Sequence, residues 1–230
     1  MLGLSGSPVR EGNTDAFLGR LLAFAEARGL ATEAVKLSAL GLGDCVHCNF
    51  CARRQTPGRY CALEDGGQAI FEKLERADIV VLASPVYLMR LSGYLAAFLD
   101  RLRVFIFGNL TAGKLRNKIG VSAAVSWLRH GGVETTHLSH LYAFWALDMI
   151  PATAHDCISP LGASAVASPG GSGEFVKGVR LGVALDEPGL RSGEAIMARA
   201  LELHGRLLGE PGPLASRRGP RPGGRRGHRP

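Results

Sequence analysis

The sequence predicts one α/β domain built on a doubly wound, five-stranded parallel sheet with helices on both faces. First, short aliphatic segments alternate with segments of helical periodicity, which is the pattern of a parallel sheet covered on both sides. Second, a turn rich in glycine and hydroxyl side chains, residues 5–14, directly follows the first aliphatic segment. Third, 230 residues with 46% hydrophobic content suffice for one sizeable core. The predicted domain covers residues 1–210, with a Cys-rich loop, residues 45–61, inserted in it.

The first half of this domain contains two predicted strands and two predicted helices. Residues 2–4 form the first strand. Residues 14–28 form a helix, because apolar side chains recur at the spacing of one helical face until Gly29 ends the run. Residues 31–37 form the second strand, and a short helix over residues 67–76 follows the Cys-rich loop.

The second half begins with the strand that we expect at the centre of the sheet. Residues 77–87 are a continuous β-branched run, as expected for a strand buried on both faces. A helix over residues 93–104 follows, with its apolar side chains on one face. Residues 118–124 form the fourth strand, and residues 135–147 form another helix.

The remaining predicted elements complete the sheet and close the domain. The fifth strand is predicted at residues 150–154, with residues 157–159 as its continuation. Residues 160–178 are rich in Gly, Ser and Pro, which predicts a loop. Residues 193–208 form an amphipathic closing helix.

The formal net charge of +7 is concentrated in the C-terminal tail, residues 211–230. Residues 216–230 contain six arginines and no acidic residue, which leaves +1 for residues 1–215. This segment lacks apolar residues with which to fold and aromatic residues that would stack on bases. We therefore predict a disordered, solvated extension and no specific nucleic-acid site. A polyanion-binding protein that uses this tail is the non-enzymatic alternative.

Hydropathy argues against two further classes of protein. The longest apolar stretches are much shorter than the ~20 residues that cross a bilayer. The N-terminus lacks the charged start and long apolar region of a signal peptide. The sequence therefore predicts a cytoplasmic protein with no membrane partner.

The turn at residues 5–14 has the composition of an anion site at a helix N-terminus. Unpaired backbone N–H groups and the positive end of the helix dipole attract a phosphate there. The side chains that would add hydrogen bonds or charge are Ser5, Ser7, Arg10, Asn13 and Thr14. The alternative is an ordinary strand-to-helix turn in which Asn13 or Thr14 is the N-cap. Neither a G-x-G-x-x-G pattern nor the G-K-[ST] ending of a P-loop is present, which argues against a dinucleotide or a nucleoside triphosphate.

A ligand of a doubly wound sheet lies beyond the carboxyl ends of the strands, where the loops after the first, third and fourth strands converge. Here these loops are residues 5–14, 84–90 and 125–134. The last loop combines Trp127 with two basic residues and a glycine pair, which suits a planar ligand. Trp127 either stacks on that ligand or shapes an adjacent pocket, or it is a core residue at the strand end.

Four of the five cysteines fall within one short stretch of the chain. They are Cys45, Cys48, Cys51 and Cys61. In a chain without secretory features, such a set binds metal more often than it forms disulfides. A C-x₂-C-x₂-C run is common among [4Fe-4S] ligand sets. The alternatives are a tetrathiolate zinc site, a redox-active thiol pair and a loop of free cysteines. Cys157 stands apart and is predicted to be a buried packing residue.

Four motifs, in this order, resemble the flavodoxin-like family of NAD(P)H-dependent FMN reductases and iron-sulfur flavoproteins. The motifs are Gly6-Ser7-Pro8 before Gly12-Asn13-Thr14, then Ser84-Pro85-Val86-Tyr87, then Phe98-Leu99-Asp100-Arg101, and then Arg129-His130-Gly131-Gly132 before Glu134-Thr135-Thr136. The resemblance covers roughly residues 1–155. The family usually has a basic residue directly after Ser-Pro, whereas this chain has Val9 there and Arg10 one place later. The loop that holds the cysteines is an expanded version of the family's loop.

This resemblance implies bound FMN. Its phosphate would be held by Ser5, Ser7, Arg10, Asn13 and Thr14, and its ring by Pro85, Val86, Tyr87, Gly131 and Gly132. It also implies electron transfer from NAD(P)H to a small-molecule or protein acceptor, in part through a [4Fe-4S] cluster, and assembly as a homodimer or homotetramer. The alternative is an iron-sulfur electron carrier without nicotinamide activity. Since the flavin carries the chemistry, no catalytic side chain is expected, and His47 and His130 are interpreted as structural.

Overall fold

The computed structural model describes residues 1–155 and 158–209, in which strands and helices alternate as predicted. The strands are β1 (Leu2–Ser5), β2 (Glu33–Lys36), β3 (Ile79–Tyr87), β4 (Arg90–Leu91), β5 (Ile119–Ser126), β6 (Ile150–Pro151) and β7 (Ala163–Val166). The α-helices are α1 (Asn13–Glu26), α2 (Phe50–Arg53), α3 (Gly67–Arg76), α4 (Gly93–Arg101), α5 (Val133–Ala146) and α6 (Glu187–Leu207). Short 3₁₀ turns occupy Leu37–Ala39, Leu102–Phe105, Pro169–Gly171 and Gly182–Leu185.

The sheet has five positions, which confirms the predicted doubly wound topology. The strands lie in the order β2-β1-β3-β5-β6, and each neighbouring pair is parallel. Strand β6 pairs with the start of β5 and β7 pairs with its end, so two short strands share the fifth position. Strand β4 runs antiparallel to the end of β3 and forms a hairpin with it. The strand order reverses between β1 and β3, which places the switch point at their carboxyl ends.

Helices cover both faces of the sheet. On one face, α1 and α6 pack against alternate side chains of β3 and β5, including Val81 and Val121. On the other face, α3, α4 and α5 pack against the intervening side chains, including Leu82. Helix α5 lies close to β5 at Gly120, where an added Cβ would come within 2.6 Å of the Phe144 ring. Since successive side chains point to opposite faces, burial on both faces explains the continuous apolar run of β3.

Predictions for the C-terminal part were wrong in three details. Residues 163–166, predicted as part of a loop, form the fully buried strand β7. They pack directly on α6: an added Cβ at Gly189 of that helix would lie 2.9 Å from the Cα of Ala165. The fifth strand predicted at residues 150–154 is limited to β6. Helix α6 begins before residue 193, because Pro188 occupies its first turn, where the missing N–H costs no hydrogen bond.

Some predictions lie outside the residues that the structure describes. These are the packing of Cys157, part of the strand continuation at residues 157–159, and the C-terminal tail. The boundary between a domain at residues 1–210 and a tail at residues 211–230 therefore stays a prediction. Within residues 1–155 and 158–209, no helix is both long and apolar enough to span a bilayer.

Candidate functional site

The loops after β1, β3 and β5 meet at the carboxyl edge of the sheet. Ser92, the N-cap of α4, donates its hydroxyl to the Gly6 carbonyl at 2.6 Å. The Ser92 amide donates to Ser84 Oγ at 2.9 Å, which ties the first loop to the end of β3. Thr135 of α5 donates its hydroxyl to the carbonyl of Met89, at the tip of the β3–β4 hairpin. The three loops are therefore bonded to one another, as the sequence predicts.

Both predicted phosphate serines are buried and hydrogen-bonded to neighbouring residues. Ser5 Oγ donates to Asp15 Oδ1 at 2.5 Å. Ser7 Oγ accepts from the Val9 amide at 3.2 Å. Lys36, at the end of β2, contacts Asp15 Oδ2 at 2.6 Å and donates to the Val9 carbonyl at 2.8 Å. A lysine ammonium and an aspartate carboxylate therefore both lie at the start of α1, next to the predicted phosphate site.

Backbone amides are the free donors of the first loop. The N–H groups of residues 10–12 donate to no acceptor in the part of the chain that the structure describes. Together with the amides of the first turn of α1, they form a donor surface of the kind that binds anions. Thr14 is buried in this turn. The Arg10 side chain is 89% exposed, and its ion pair with Glu11 is loose, at 3.9 Å.

Asn13 connects the first loop to a distant segment of the chain. Its Oδ1 accepts from the Val183 amide at 3.0 Å, and its Nδ2 donates to the Arg180 carbonyl at 3.4 Å. The Arg180 guanidinium lies 3.9 Å from the Glu11 carboxylate. The segment around residues 180–183 therefore forms a fourth wall of the site and brings an arginine to it.

The predicted ring site combines the β3–β4 hairpin with the loop after β5. Pro85 is buried, Val86 is half-buried and Tyr87 is exposed. The hairpin turns through two residues in the left-handed region, including Met89 with a φ of 62°. Gly132 has a φ of 95°, and a Cβ there would lie 2.6 Å from the Cα of Met89. Only glycine permits this approach between the two loops.

Trp127 packs against a segment that was predicted to be a plain loop. Its indole Nε1 donates to the Gly173 carbonyl at 2.9 Å. Its ring centroid lies 4.6 Å from that of Phe175, which is 91% exposed. Trp127 is therefore partly exposed at the mouth of the loops and is not a core residue. Gly131 lies in the adjoining turn, where its amide donates to the Leu128 carbonyl.

A second pocket, which we call the cysteine pocket, lies at the far end of α4. It is lined by all four clustered cysteines, together with Arg101, Arg103 and apolar side chains. The four thiols, Cys45, Cys48, Cys51 and Cys61, are free. His47 and Asn49 have φ values of 50° and 58°, so the backbone turns sharply on both sides of Cys48. These turns let cysteines two residues apart face one pocket.

The relative positions of the four thiols bear on which group, if any, they hold. No three His, Cys, Asp or Glu side chains in the described ranges lie close enough to hold one metal ion. In a tetrathiolate zinc site, all four sulfurs lie about 2.3 Å from a single ion. In a [4Fe-4S] cluster each thiolate binds a different iron, so the sulfurs are farther apart. The cluster, the zinc site, the redox-active thiol pair and the loop of free cysteines therefore all stay open.

Two arginine side chains line the cysteine pocket. Burial raises the pKa of the Cys51 thiol, and the neighbouring Arg103 guanidinium opposes this effect. Arg101 is almost completely buried, and its Nη1 lies 2.5 Å from Asp65 Oδ2. Burial alone would lower the pKa of Arg101, but the hydrogen bond to Asp65 raises it further above its usual range. Both side chains are therefore permanent cations beside the thiols.

Two buried histidines on α5 form a hydrogen-bonded network under the sheet. Ser122 Oγ lies 2.7 Å from Nδ1 of His137 and 2.7 Å from Nδ1 of His140. Since a hydroxyl carries one proton, Ser122 donates to only one ring, and the other ring donates its own Nδ1 proton. Burial lowers the pKa of His137 to about 4 and that of His140 to about 3. Both rings are therefore neutral near pH 7.

A further open cleft lies on the other side of the loop after β5. Its lining includes Arg129, His130, Glu134 and His137. Arg129 is held by Asp186 at 2.8 Å. His130 is exposed here, and His47 is exposed in the Cys-rich loop. Neither histidine has a hydrogen-bond partner among the residues that the structure describes, so the structural role predicted for them has no support.

Sequence reasoning missed several side chains at these sites. Lys36, Ser92, Phe175 and Arg180 were not singled out, because their roles depend on contacts with distant segments. Arg101 was noted only as part of a motif. One feature of the sequence does point to it: Arg101 lies three residues after Phe98, on the apolar face of α4, where a charged residue needs a buried partner.

Comparison with known proteins agrees with this geometry. The model of the NADPH-dependent FMN reductase family matches residues 1–160. An iron-sulfur flavoprotein of Methanocaldococcus jannaschii is 37% identical over 136 residues, which are 59% of this chain and 66% of that protein. One of Methanosarcina thermophila is 32% identical over 134 residues, which are 58% of this chain and 66% of that protein. Both matches span just under two thirds of the relative. One of Archaeoglobus fulgidus is 28% identical over 210 residues, 91% of this chain and 99% of that protein.

Solved structures support the fold. RosB with a bound intermediate has a TM-score of 0.60 and 17% identity, and the match covers 99% of this chain and 94% of that one. An apo NADH:FMN oxidoreductase, EMOB, has a TM-score of 0.58 and 17% identity, with 87% of each chain covered. Because the identities are low, these likenesses establish the flavodoxin-like architecture and nothing finer.

Proposed function

The chain belongs to the NADPH-dependent FMN reductase family, and from this premise we propose that it is an FMN-dependent oxidoreductase with NAD(P)H as its electron donor. We propose further that electrons pass to a small acceptor by way of a [4Fe-4S] cluster in the cysteine pocket. One observation carries the proposal: a loop with unpaired amides and a pocket lined by four thiols are built into the same domain. FMN, when bound, supplies hydride acceptance and one-electron or two-electron release.

The first loop is proposed to hold the FMN phosphate mainly through its backbone. The amides of residues 10–12 and the first turn of α1 supply N–H donors and the helix dipole. Ser5, Ser7 and Thr14 are buried around them. Asn13 contributes by fixing the segment around Arg180, whose guanidinium adds positive charge. Arg10, with an exposed side chain, contributes its amide and long-range charge.

The hairpin and the loop after β5 are proposed to hold the ring. Pro85, Val86 and Tyr87 would present one edge, and Gly131 and Gly132 would present backbone without side chains. Burial raises the pKa of Tyr87, so its hydroxyl stays protonated and remains a donor at neutral pH. Trp127, held by Gly173, offers an aromatic edge at the mouth of the site. The exposed ring of Phe175 beside it would close over a planar ligand.

The cysteine pocket is proposed to hold the cluster through Cys45, Cys48, Cys51 and Cys61. Its two arginines offset the negative charge that four thiolates bring together. A [4Fe-4S] cluster supplies one-electron transfer. The iron-sulfur flavoprotein names of the relatives favour the same assignment.

Self-association is also proposed, with a homodimer or homotetramer as the expected state. Leu88 and Met89, at the tip of the hairpin, are 94% and 57% exposed. Tyr142 and Trp145 on α5 are 60% and 54% exposed. Large exposed apolar side chains of this kind commonly mark an interface. Light scattering after gel filtration tests this, and a monomer at all concentrations would contradict it.

The function is tested by purifying the protein without oxygen and measuring bound flavin, iron, sulfide and zinc. We expect one FMN, about four irons and no zinc per chain. Oxidation of NADH and of NADPH is then followed with quinone, ferric complex or free flavin as acceptor. Flavin and iron without nicotinamide oxidation would favour the electron carrier. Flavin without iron would leave a simple reductase with a thiol loop, and no flavin after FMN addition would contradict the proposal.

A further inference from the structure

Arg101 is the most deeply buried charged side chain at the cysteine pocket. It ends α4, its side chain is 1% exposed, and it lines the pocket with the four thiols. Its Nη1 contacts Asp65 Oδ2 at 2.5 Å and donates to the Gly43 carbonyl at 3.3 Å. Asp65 in turn accepts from the Gly43 and Gly67 amides, each at 3.0 Å. One half of the guanidinium is therefore fixed in place.

The other half of the guanidinium is not bonded. Its Nε and Nη2 are buried and have no hydrogen-bond partner among the described residues. Leaving a buried donor unpaired costs about 1–3 kcal/mol, and more when the group is charged. Native proteins pair such groups with protein, water or a ligand. Besides Asp65, the ionisable group that acts on Arg101 is Cys61, which raises the pKa of Arg101 through its charge and through a weak side-chain interaction. The unbonded N–H groups therefore point to an anionic, sulfur-bearing occupant of the pocket.

We propose that Arg101 is a positioning residue whose Nε–H and Nη2–H groups hydrogen-bond to the sulfurs of the [4Fe-4S] cluster and raise its reduction potential. This inference rests on the proposed presence of the cluster. Reduction adds one negative charge to the cluster, so a fixed cation with N–H···S bonds stabilises the reduced state more than the oxidised state. The ion pair with Asp65 opposes this effect and limits its size.

Arg103 provides a matched comparison at the same pocket. It is also a guanidinium that lines the pocket, but it is half-buried. Its Nη2 donates to Asn49 Oδ1 at 2.9 Å. The ring contacts of the two arginines are alike: Arg103 Cζ lies 5.5 Å from the Phe107 ring centroid, and Arg101 Cζ lies 5.6 Å from that of Phe71. It has no buried unpaired donor. If positive charge alone raised the reduction potential of the cluster, both arginines would contribute. If directed hydrogen bonds raise it, Arg101 contributes more than Arg103.

The test is a redox titration of the cluster, monitored by electron paramagnetic resonance, in the full-length protein and four variants. Arg101→Gln should lower the midpoint potential by at least 59 mV, the equivalent of a tenfold change for a one-electron couple. Arg101→Lys should lower it less, because the charge is kept and the fork of donors is lost. Asp65→Asn should raise it, since the opposing charge is removed and the guanidinium remains. Arg103→Gln should change it less than Arg101→Gln does.

The opposite signs expected for Arg101→Gln and Asp65→Asn separate electrostatic tuning from damage to the fold. Shifts of the same sign, or an unchanged potential in both, would overturn the proposal. If Arg101→Gln fails to assemble a cluster, Arg101→Lys and Asp65→Asn decide, because an unshifted potential in both also overturns it. Iron content of the unsubstituted protein identifies which idea has failed. No iron contradicts the cluster itself, whereas iron with unshifted potentials contradicts only the role of Arg101.

Discussion

Acidification from pH 7.5 to pH 5.0 should destabilise this protein through the two histidines buried under the sheet. His137 and His140 are fully buried and share the hydroxyl of Ser122. Their folded-state pKa values of about 4 and about 3 lie below the ordinary value of 6.5. At pH 5.0 both rings are therefore neutral in the folded protein and protonated in the unfolded chain. The stability that they contribute is present above pH 6.5 and is lost as the pH falls.

The size of the effect follows from proton linkage. At pH 5.0 the unfolded chain binds about one more proton per histidine than the folded protein. Integrated from pH 7.5, each histidine then removes about 2 kcal/mol from the free energy of unfolding, and the pair removes about 4 kcal/mol. Mutual repulsion between the rings does not alter this figure, because both are neutral in the folded state at pH 5.0. A loss of this size is a large fraction of the 5–15 kcal/mol typical of a domain.

The assay is denaturant unfolding at pH 7.5 and pH 5.0, and the quantity compared is the difference between the two pH values within each variant. His140→Gln should reduce the loss on acidification to about 2 kcal/mol, whatever it does to stability at pH 7.5. His130→Gln, which changes an exposed ring, should keep the full loss. All variants share the flavin site, so any effect of pH on bound FMN cancels. An equal loss in His140→Gln and the unsubstituted protein would refute the reasoning.

Three further substitutions test the two sites. Asn13→Asp should weaken FMN binding at least fivefold, about 1 kcal/mol, because it places a carboxylate beside the phosphate. Glu11→Gln, on the same loop, should not weaken it. Affinity is measured by fluorescence titration, and equal FMN affinities of Asn13→Asp and the unsubstituted protein would remove this loop from the site. Gly132→Ala should cost about 1–3 kcal/mol of stability and perturb the flavin spectrum, because its Cβ would meet Met89 at 2.6 Å. Gly113→Ala is the control, because Gly113 has a φ of 77° and open space around it, so its substitution costs only backbone strain. If Gly132→Ala lowers the free energy of unfolding no more than Gly113→Ala does, the close approach to Met89 is contradicted. Cys48→Ala should abolish bound iron while FMN stays bound, and His47→Ala should retain both; iron that survives in Cys48→Ala would show that this cysteine is not a ligand.

An element of the fold was predictable where its own segment carries the signal, either the apolar run of a strand buried on both faces or the periodic apolar face of a helix. Strands β3 and β5 are long aliphatic runs, and α1 carries a clear apolar face. Strand β7 is different, since its sequence Ala-Ser-Ala-Val has little strand character. It is a strand because its small side chains let α6 approach closely, with the Ser164 amide donating to Ser192 Oγ at 2.9 Å. That contact joins residues 28 positions apart, which local reasoning does not see.

The loops that form the candidate site could be predicted from the sequence, but the hydrogen-bond partners of their side chains could not. The order of the motifs and the topology placed three loops at one edge, and the structure brings them together. The partners of Asn13 lie 167 and 170 residues away, so its role as a bridge was hidden. The two serines have hydrogen-bond partners, Ser5 in α1 and Ser7 in the loop itself, so the free donors there are backbone amides, which any sequence supplies.

Helix α4 connects the two proposed sites. Its N-cap, Ser92, bonds to the Gly6 carbonyl in the proposed phosphate loop, and its last residue, Arg101, lines the cysteine pocket. Nine residues at about 1.5 Å each span about 13–14 Å. The helix is packed into the core along its length through Leu95 and Phe98. If FMN binding shifts the first loop and α4 follows as one body, the guanidinium beside the thiols shifts with it, and the potential of the proposed cluster should differ between flavin-free and flavin-loaded protein.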